Sequence, residues 1–148
     1  MRGVIEAADI VLYDEFGQIL LLAEVKTPPT PTSPEWAAEI RSHTANQLKG
    51  FVPRYFLVAA RDYSYFWSSA TPDVAPNARI RTEELLGPYL RDADLTIETI
   101  ASSALDLVVG IWLRDLTHGN PRATELLPQE LGLPAAASNG RIEFAAAA

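Results

Sequence analysis

Apolar positions along the chain follow two rhythms. From Ala8 to Asp14 the run ADIVLYD is rich in β-branched and aromatic residues, and from Gln18 to Lys26 the run QILLLAEVK is apolar on both faces of any strand. Between them lies DEFGQ, where Gly17 can take a positive φ, so the segment predicts a hairpin. A strand apolar on both faces suits the middle of a sheet covered from both sides.

The next segment, TPPTPTSP from Thr27 to Pro34, has too many prolines for regular structure. It ends as a helix start, with Ser33 as N-cap, Pro34 at the first helical position and Glu35 in the first turn. Trp36, Ile40, Leu48 and Phe51 recur at near-helical spacing, which predicts an amphipathic helix from Glu35 to about Lys49, stopped by Gly50. RYFLVAA and YSYFW then read as two strands joined tightly at Arg61-Asp62, and TPDVAPNA as loop. TEELLGPYL predicts a helix capped by Thr82 and interrupted at Gly87-Pro88. TIETIASSALDLVVGIWLRDLTHG predicts a longer one, with Ile100, Ala104, Leu107, Val108, Ile111 and either Leu113 or Leu116 on its apolar face. Asp106 and Asp115 then face solvent.

The predicted order is strand, strand, helix, strand, strand, helix, helix, with an extra strand at Met1 to Glu6. Residues 1–119 form one α/β domain. Residues 120–148, rich in Ala and Pro, form a packed arm or loose tail in which GRIEF is a short strand.

A chain of 148 residues, 48% hydrophobic and 21% charged, suits one domain with an ordinary core. It has no cysteine, which excludes disulfides and thiolate metal sites. No apolar run approaches the roughly 18 residues needed to span a bilayer. The first nine residues lack a signal-peptide pattern, so the expected location is cytoplasmic. Net charge is −7, and neither half of the chain is basic. Duplex binding by counterion release therefore needs a local basic groove or a partner that supplies one.

The chemistry concentrates where the second strand ends. With Asp14 to Gly17 as the loop, Tyr13 faces Gln18 and Asp9 faces Leu22. Alternation then puts Asp9, Leu22, Glu24 and Lys26 on one sheet face. A one-residue slip would separate Asp9 from the others. Two adjacent carboxylates repel and raise each other's pKa unless a cation intervenes. A hard divalent ion takes such oxygens, so Asp9, Glu24 and the Val25 carbonyl are candidate ligands, with Lys26 placed to orient water or stabilise developing charge.

ADIVLYDEFGQILLLAEVK resembles the core of the PD-(D/E)xK nuclease superfamily. Asp9 matches the family aspartate and Glu24-Val25-Lys26 the acidic-x-Lys triplet. The resemblance spans roughly residues 4–67. It implies a restriction-endonuclease-like mixed central β-sheet flanked by α-helices, here with an added C-terminal helical segment. It also implies hydrolysis of nucleic-acid phosphodiesters with Mg²⁺ or Mn²⁺, with DNA ranked ahead of RNA. Ala8 stands where the family carries proline. The family's opening helix, which often bears a metal-associated acid, is missing, displaced or supplied by a partner. Gln47 with Phe51 resembles a Gln-x-x-x-Tyr element of some relatives, making Gln47 a candidate for orienting substrate or water.

Blander readings accompany these. Glu24 and Lys26 can form an ordinary exposed ion pair. Arg41, Lys49, Arg54 and Arg61 read as a solvated face, His43 and His118 as exposed or capping residues, and Trp36, Trp67 and Trp112 as core or interface. The competing functions are a catalytically degenerate nuclease-like module that binds protein or nucleic acid within a larger assembly, and an assembly subunit joined through the helix around Trp112. The resemblance also implies a homodimer, joined through the apolar C-terminal helix, or a partner protein that supplies the basic surface this chain lacks. No membrane partner is expected.

Overall fold

A computed structural model describes residues 8–48, 53–68 and 75–145. The chain builds a six-stranded mixed sheet with helices on both faces. Strands β1 (Ile10–Tyr13) and β2 (Ile19–Val25) form the expected hairpin. Helix α1 (Pro34–Asn46) crosses back over the sheet to β3 (Tyr55–Ala59), which runs parallel to β2. β4 (Tyr63–Trp67) and β5 (Ala78–Arg81) follow antiparallel. Then come α2 (Thr82–Leu85), α3 (Gly87–Asp92), α4 (Ser102–Thr117), α5 (Pro121–Thr124), a 3-10 turn at Gln129–Leu131, α6 (Leu133–Ala137) and β6 (Arg141–Phe144). The sheet order is β5-β4-β3-β2-β1-β6.

Alternation along the strands separates two cores. Val11, Leu22, Phe56, Val58, Tyr65 and Trp67 pack beneath α1 with Ala37 and Leu48. On the other face Ile10, Leu12, Leu21, Ala23, Leu57 and Phe66 pack against α3, α4, α5 and α6. Burial on both faces explains why β2 reads as a nearly continuous apolar run. Among the described residues no helix is long and apolar enough to cross a membrane.

Several local expectations hold. Ser33 caps α1, its hydroxyl accepting the Trp36 N–H at 3.1 Å. Asp14 closes the hairpin, its Oδ1 accepting the N–H groups of Phe16 and Gln18, and Gly17 sits at φ 82°. Trp67 and Trp112 are core residues, and the Trp112 indole donates to the Ala123 carbonyl. The expected strand at Met1 to Glu6, and the helix stop at Gly50 with Phe51, lie outside the described residues.

Other expectations are corrected. The described part of the expected loop, residues 75–77, leads into β5, a short edge strand that the sequence pattern did not predict. Thr82 is the first residue of α2 rather than its cap. Its hydroxyl donates to the Ala60 carbonyl and meets Ser64, pinning the helix start to the β3–β4 connection. Helix α4 starts only at Ser102, leaving Ile100 buried before it, and its inward face is Leu105, Val108, Val109, Trp112, Leu113 and Leu116. Leu107 and Ile111 point outward, 57% and 41% exposed. Arg41 is buried, its guanidinium 5.3 Å from the centre of the Trp67 ring, rather than part of a solvated face. Arg61 is likewise engaged, donating through Nε and Nη2 to the Ile100 carbonyl. The C-terminal segment is a packed arm whose β6 joins the main sheet beside β1.

Candidate functional site

Asp9, Glu24 and Lys26 meet at the end of the sheet where β1 begins and β2 finishes. The register differs from the expected one by two residues. Val11, not Asp9, lies opposite Leu22, and Tyr13 pairs with Ile19 rather than Gln18. An irregularity between Leu12 and Tyr13 supplies one residue of this shift, and a hairpin loop one residue longer than expected supplies the other. Asp9 precedes β1, whose pairing with β2 begins at Ile10 opposite Ala23. The Asp9 N–H donates to the Ala23 carbonyl at 3.0 Å. Its Oδ2 accepts the Val25 N–H at 2.7 Å. Val25, the expected backbone ligand, thus already holds the aspartate in place through its amide.

Glu24 is only 7% exposed. Burial raises its pKa, and the neighbouring Asp9 charge raises it further. Lys26 and a hydrogen bond with Thr44 of α1 offset part of this. Lys26 anchors its backbone to β3, its N–H donating to the Ala59 carbonyl at 3.0 Å. Its ammonium lies 3.7 Å from Glu24 Oε2, with the lysine side chain 44% exposed and the glutamate side chain 9%. One partner is therefore wet and the other buried, unlike a surface pair, which has both in water.

The structure adds a fourth group. Asp106 of α4 reaches this end of the sheet from the opposite face. Burial, followed by the Asp9 charge, pushes its carboxyl up to about 6, while Lys26 pulls it down. Its Oδ1 is buried and has no hydrogen-bond partner. A buried carboxylate oxygen without a donor is costly. The sequence reading placed Asp106 in solvent because it turned α4 toward Leu107 and Ile111. On the true inward face Leu105 and Val109 flank it, and that rotation was the only signal that could have found it.

Gln47 is the C-cap residue of α1, exposed and within 3.3 Å of His43 Nε2. The α1 side chain that turns toward Glu24 is Thr44, one helical turn earlier. His118 caps α4, as expected of a lone histidine.

The loop from Thr27 to Ser33 leaves the site directly after Lys26. Asp62 ties it down: Oδ2 accepts the Thr32 N–H and Oδ1 the Thr32 hydroxyl, which also meets the Tyr65 hydroxyl. Burial opposes ionisation of Asp62, but hydrogen bonds from Thr32 and the Tyr63 N–H outweigh it and lower its pKa.

Among the described residues no group of three or more His, Cys, Asp or Glu side chains is gathered closely enough to hold a metal ion unaided. Mg²⁺ commonly uses only one or two carboxylates, with waters and substrate oxygens completing its shell. Asp9 and Glu24, which repel one another, offer oxygens of this kind. No protein-family model matches the chain, and no curated protein or solved structure is significantly similar to it.

Proposed function

We propose that this protein is a metal-dependent nuclease of the PD-(D/E)xK type, hydrolysing nucleic-acid phosphodiesters with Mg²⁺ or Mn²⁺. The observation that carries the reading is the meeting of Asp9, Glu24, Lys26 and Asp106 at one end of the sheet. Two half-buried or buried carboxylates and a partly exposed ammonium come from adjacent strands of a hairpin, and a third carboxyl arrives from a helix distant in sequence.

Asp9 and Glu24 would hold the cation, with the Val25 carbonyl beside them. When bound, the ion supplies a nucleophile usable at neutral pH and stabilises charge on phosphoryl oxygens. Within the chain, Lys26 presents positive charge where charge develops on the phosphate. Thr44 and the Val25 amide orient Glu24 and Asp9. The family's opening helix often bears a metal-associated acid. Helix α4 with Asp106 supplies such an acid from later in the chain, which favours a restriction-endonuclease-like arrangement of the sheet. The net charge of −7, and the absence of a three-acid cluster among the described residues, favour the second reading, a module that binds without cleaving.

Cleavage of plasmid and single-stranded substrates with Mg²⁺ and with Mn²⁺ separates the two. Wild-type cleavage lost in both Asp9→Asn and Lys26→Ala supports the nuclease. Absence of cleavage by folded wild type with either ion overturns it and leaves the binding module.

A further inference from the structure

Strand β6 is an edge among the described residues. Among the described residues its one strand neighbour is β1, with Tyr13 opposite Arg141, Leu12 opposite Ile142, Val11 opposite Glu143 and Ile10 opposite Phe144. The Ala145 N–H donates to the Asp9 carbonyl at 2.8 Å, so odd-numbered residues turn their backbone groups toward β1. By the alternation of an antiparallel ladder, the N–H and C=O groups of Ile142 and Phe144 point away from the sheet. Open rows of this kind are templates for another strand.

Beside this edge lies an apolar ridge. Leu107, Gly110 and Ile111 share a face of α4 at helical spacing. The Phe144 ring fills the space a side chain at Gly110 would need. Leu107, Ile111 and Phe144 remain 57%, 41% and 42% exposed. Ile142 and Phe144 stand on this α4 side of the sheet, and Arg141 and Glu143 on the other, where they form an ion pair of 3.0 Å.

We propose that β6 and the adjoining face of α4 pair with the same surface of a second copy of this chain. The occupant follows from self-complementarity. Hydrogen-bonding parity admits only registers in which even-numbered residues of the two β6 strands face one another. The two-fold register that sets Ile142 against Ile142 sets Arg141 against Glu143 of the other copy, and by symmetry does so twice. Opposite charges directly across an antiparallel pair stabilise it, whereas an edge guarded by one sign of charge would repel its copy. The local charge is balanced although the whole chain is acidic. The same operation brings the Leu107–Ile111 ridges to either side of the joined strands, forming the isologous contact that a two-fold dimer requires.

Sedimentation or light scattering of the full chain at micromolar concentration tests this. Wild type is expected at twice the chain mass of 16.2 kDa. Glu143→Arg sets arginine against arginine and is expected to give a monomer with an unchanged circular dichroism spectrum. The exchange Arg141→Glu with Glu143→Arg restores the opposition and is expected to restore the dimer. Leu107→Lys, which leaves the strand intact, is expected to weaken it. A monomeric wild type overturns the proposal, as does a dimer indifferent to Glu143→Arg and Leu107→Lys alike.

Discussion

Asp9 Oδ2 accepts the Val25 N–H at 2.7 Å. Val25 follows Glu24 at the end of β2, so this bond sets the Asp9 carboxyl beside that of Glu24. Their repulsion helps to raise the pKa of Glu24. Asp9→Asn removes that charge but keeps an oxygen able to accept the Val25 N–H. The variant is expected to fold, to show a lower Glu24 pKa by NMR titration, and to lack the thermal stabilisation by Mn²⁺ that is expected of wild type. A ligand at about 100 times its Kd stabilises by about 2.7 kcal/mol, ample for a melting measurement.

Lys26 is exposed along much of its length, and its contact with Glu24 is long. Lys26→Ala is therefore expected to change stability by no more than about 1 kcal/mol in urea unfolding. Its effect on cleavage is expected to be at least about 100-fold, the usual cost of removing one group that stabilises developing charge. Cleavage unchanged by this substitution would remove Lys26 from the site.

Asp106 gives a pH dependence of definite sign. Its folded pKa, pushed up to about 6, exceeds the ordinary carboxylate value, so the folded state favours the protonated form. Stability from this residue is full below the unfolded value near 4 and is lost as pH rises through about 6. Asp106→Asn in chelator is therefore expected to match wild type near pH 4 and to exceed it at pH 7, by about 1–2 kcal/mol after allowing for solvent screening. Equal stabilities across that range, followed by denaturant titration, would place Asp106 in bulk solvent.

Asp62 has the opposite sign. Its lowered pKa contributes stability above the ordinary carboxylate value, lost as pH falls through the lower folded value. Asp62→Ala leaves the amides of Thr32 and Tyr63 without their acceptor and is expected to cost about 1–3 kcal/mol. Faster amide exchange from Thr30 to Ser33 would locate the loss in the proline-rich loop.

Gly140 ends the turn before β6. A side chain there would collide with the backbone carbonyls of Tyr13 and Ala137, neither of which can move aside cheaply. Gly140→Ala is expected to destabilise by about 1–3 kcal/mol in thermal unfolding, with β6 amides exchanging before those of β2.

Much of this arrangement could be read along the chain, for physical reasons that differ by element. The first hairpin was legible because β2 is buried on both faces and Asp14 and Gly17 have defined turn roles. Its register was not, because the irregularity at Leu12/Tyr13 leaves no mark in residue type. Asp9 nevertheless lies beside Glu24, because the Val25 amide holds its carboxyl there. Helix α4 carries apolar residues nearly all around, so periodicity alone could not choose between Leu107 and Leu105 as the inward side, and Asp106 went unnoticed. Arg41 was misplaced because its burial beside Trp67 depends on where α1 crosses β4. The place of β6 depends on a pairing with β1 more than a hundred residues earlier, which no local pattern announces.

The direct test of the metal site is an anomalous-scattering map of crystals grown with saturating Mn²⁺. The expected result is a peak within coordination distance of both Asp9 and Glu24, absent in Asp9→Asn crystals grown the same way. A wild-type map with no peak between those carboxylates would contradict a metal-dependent site at this end of the sheet.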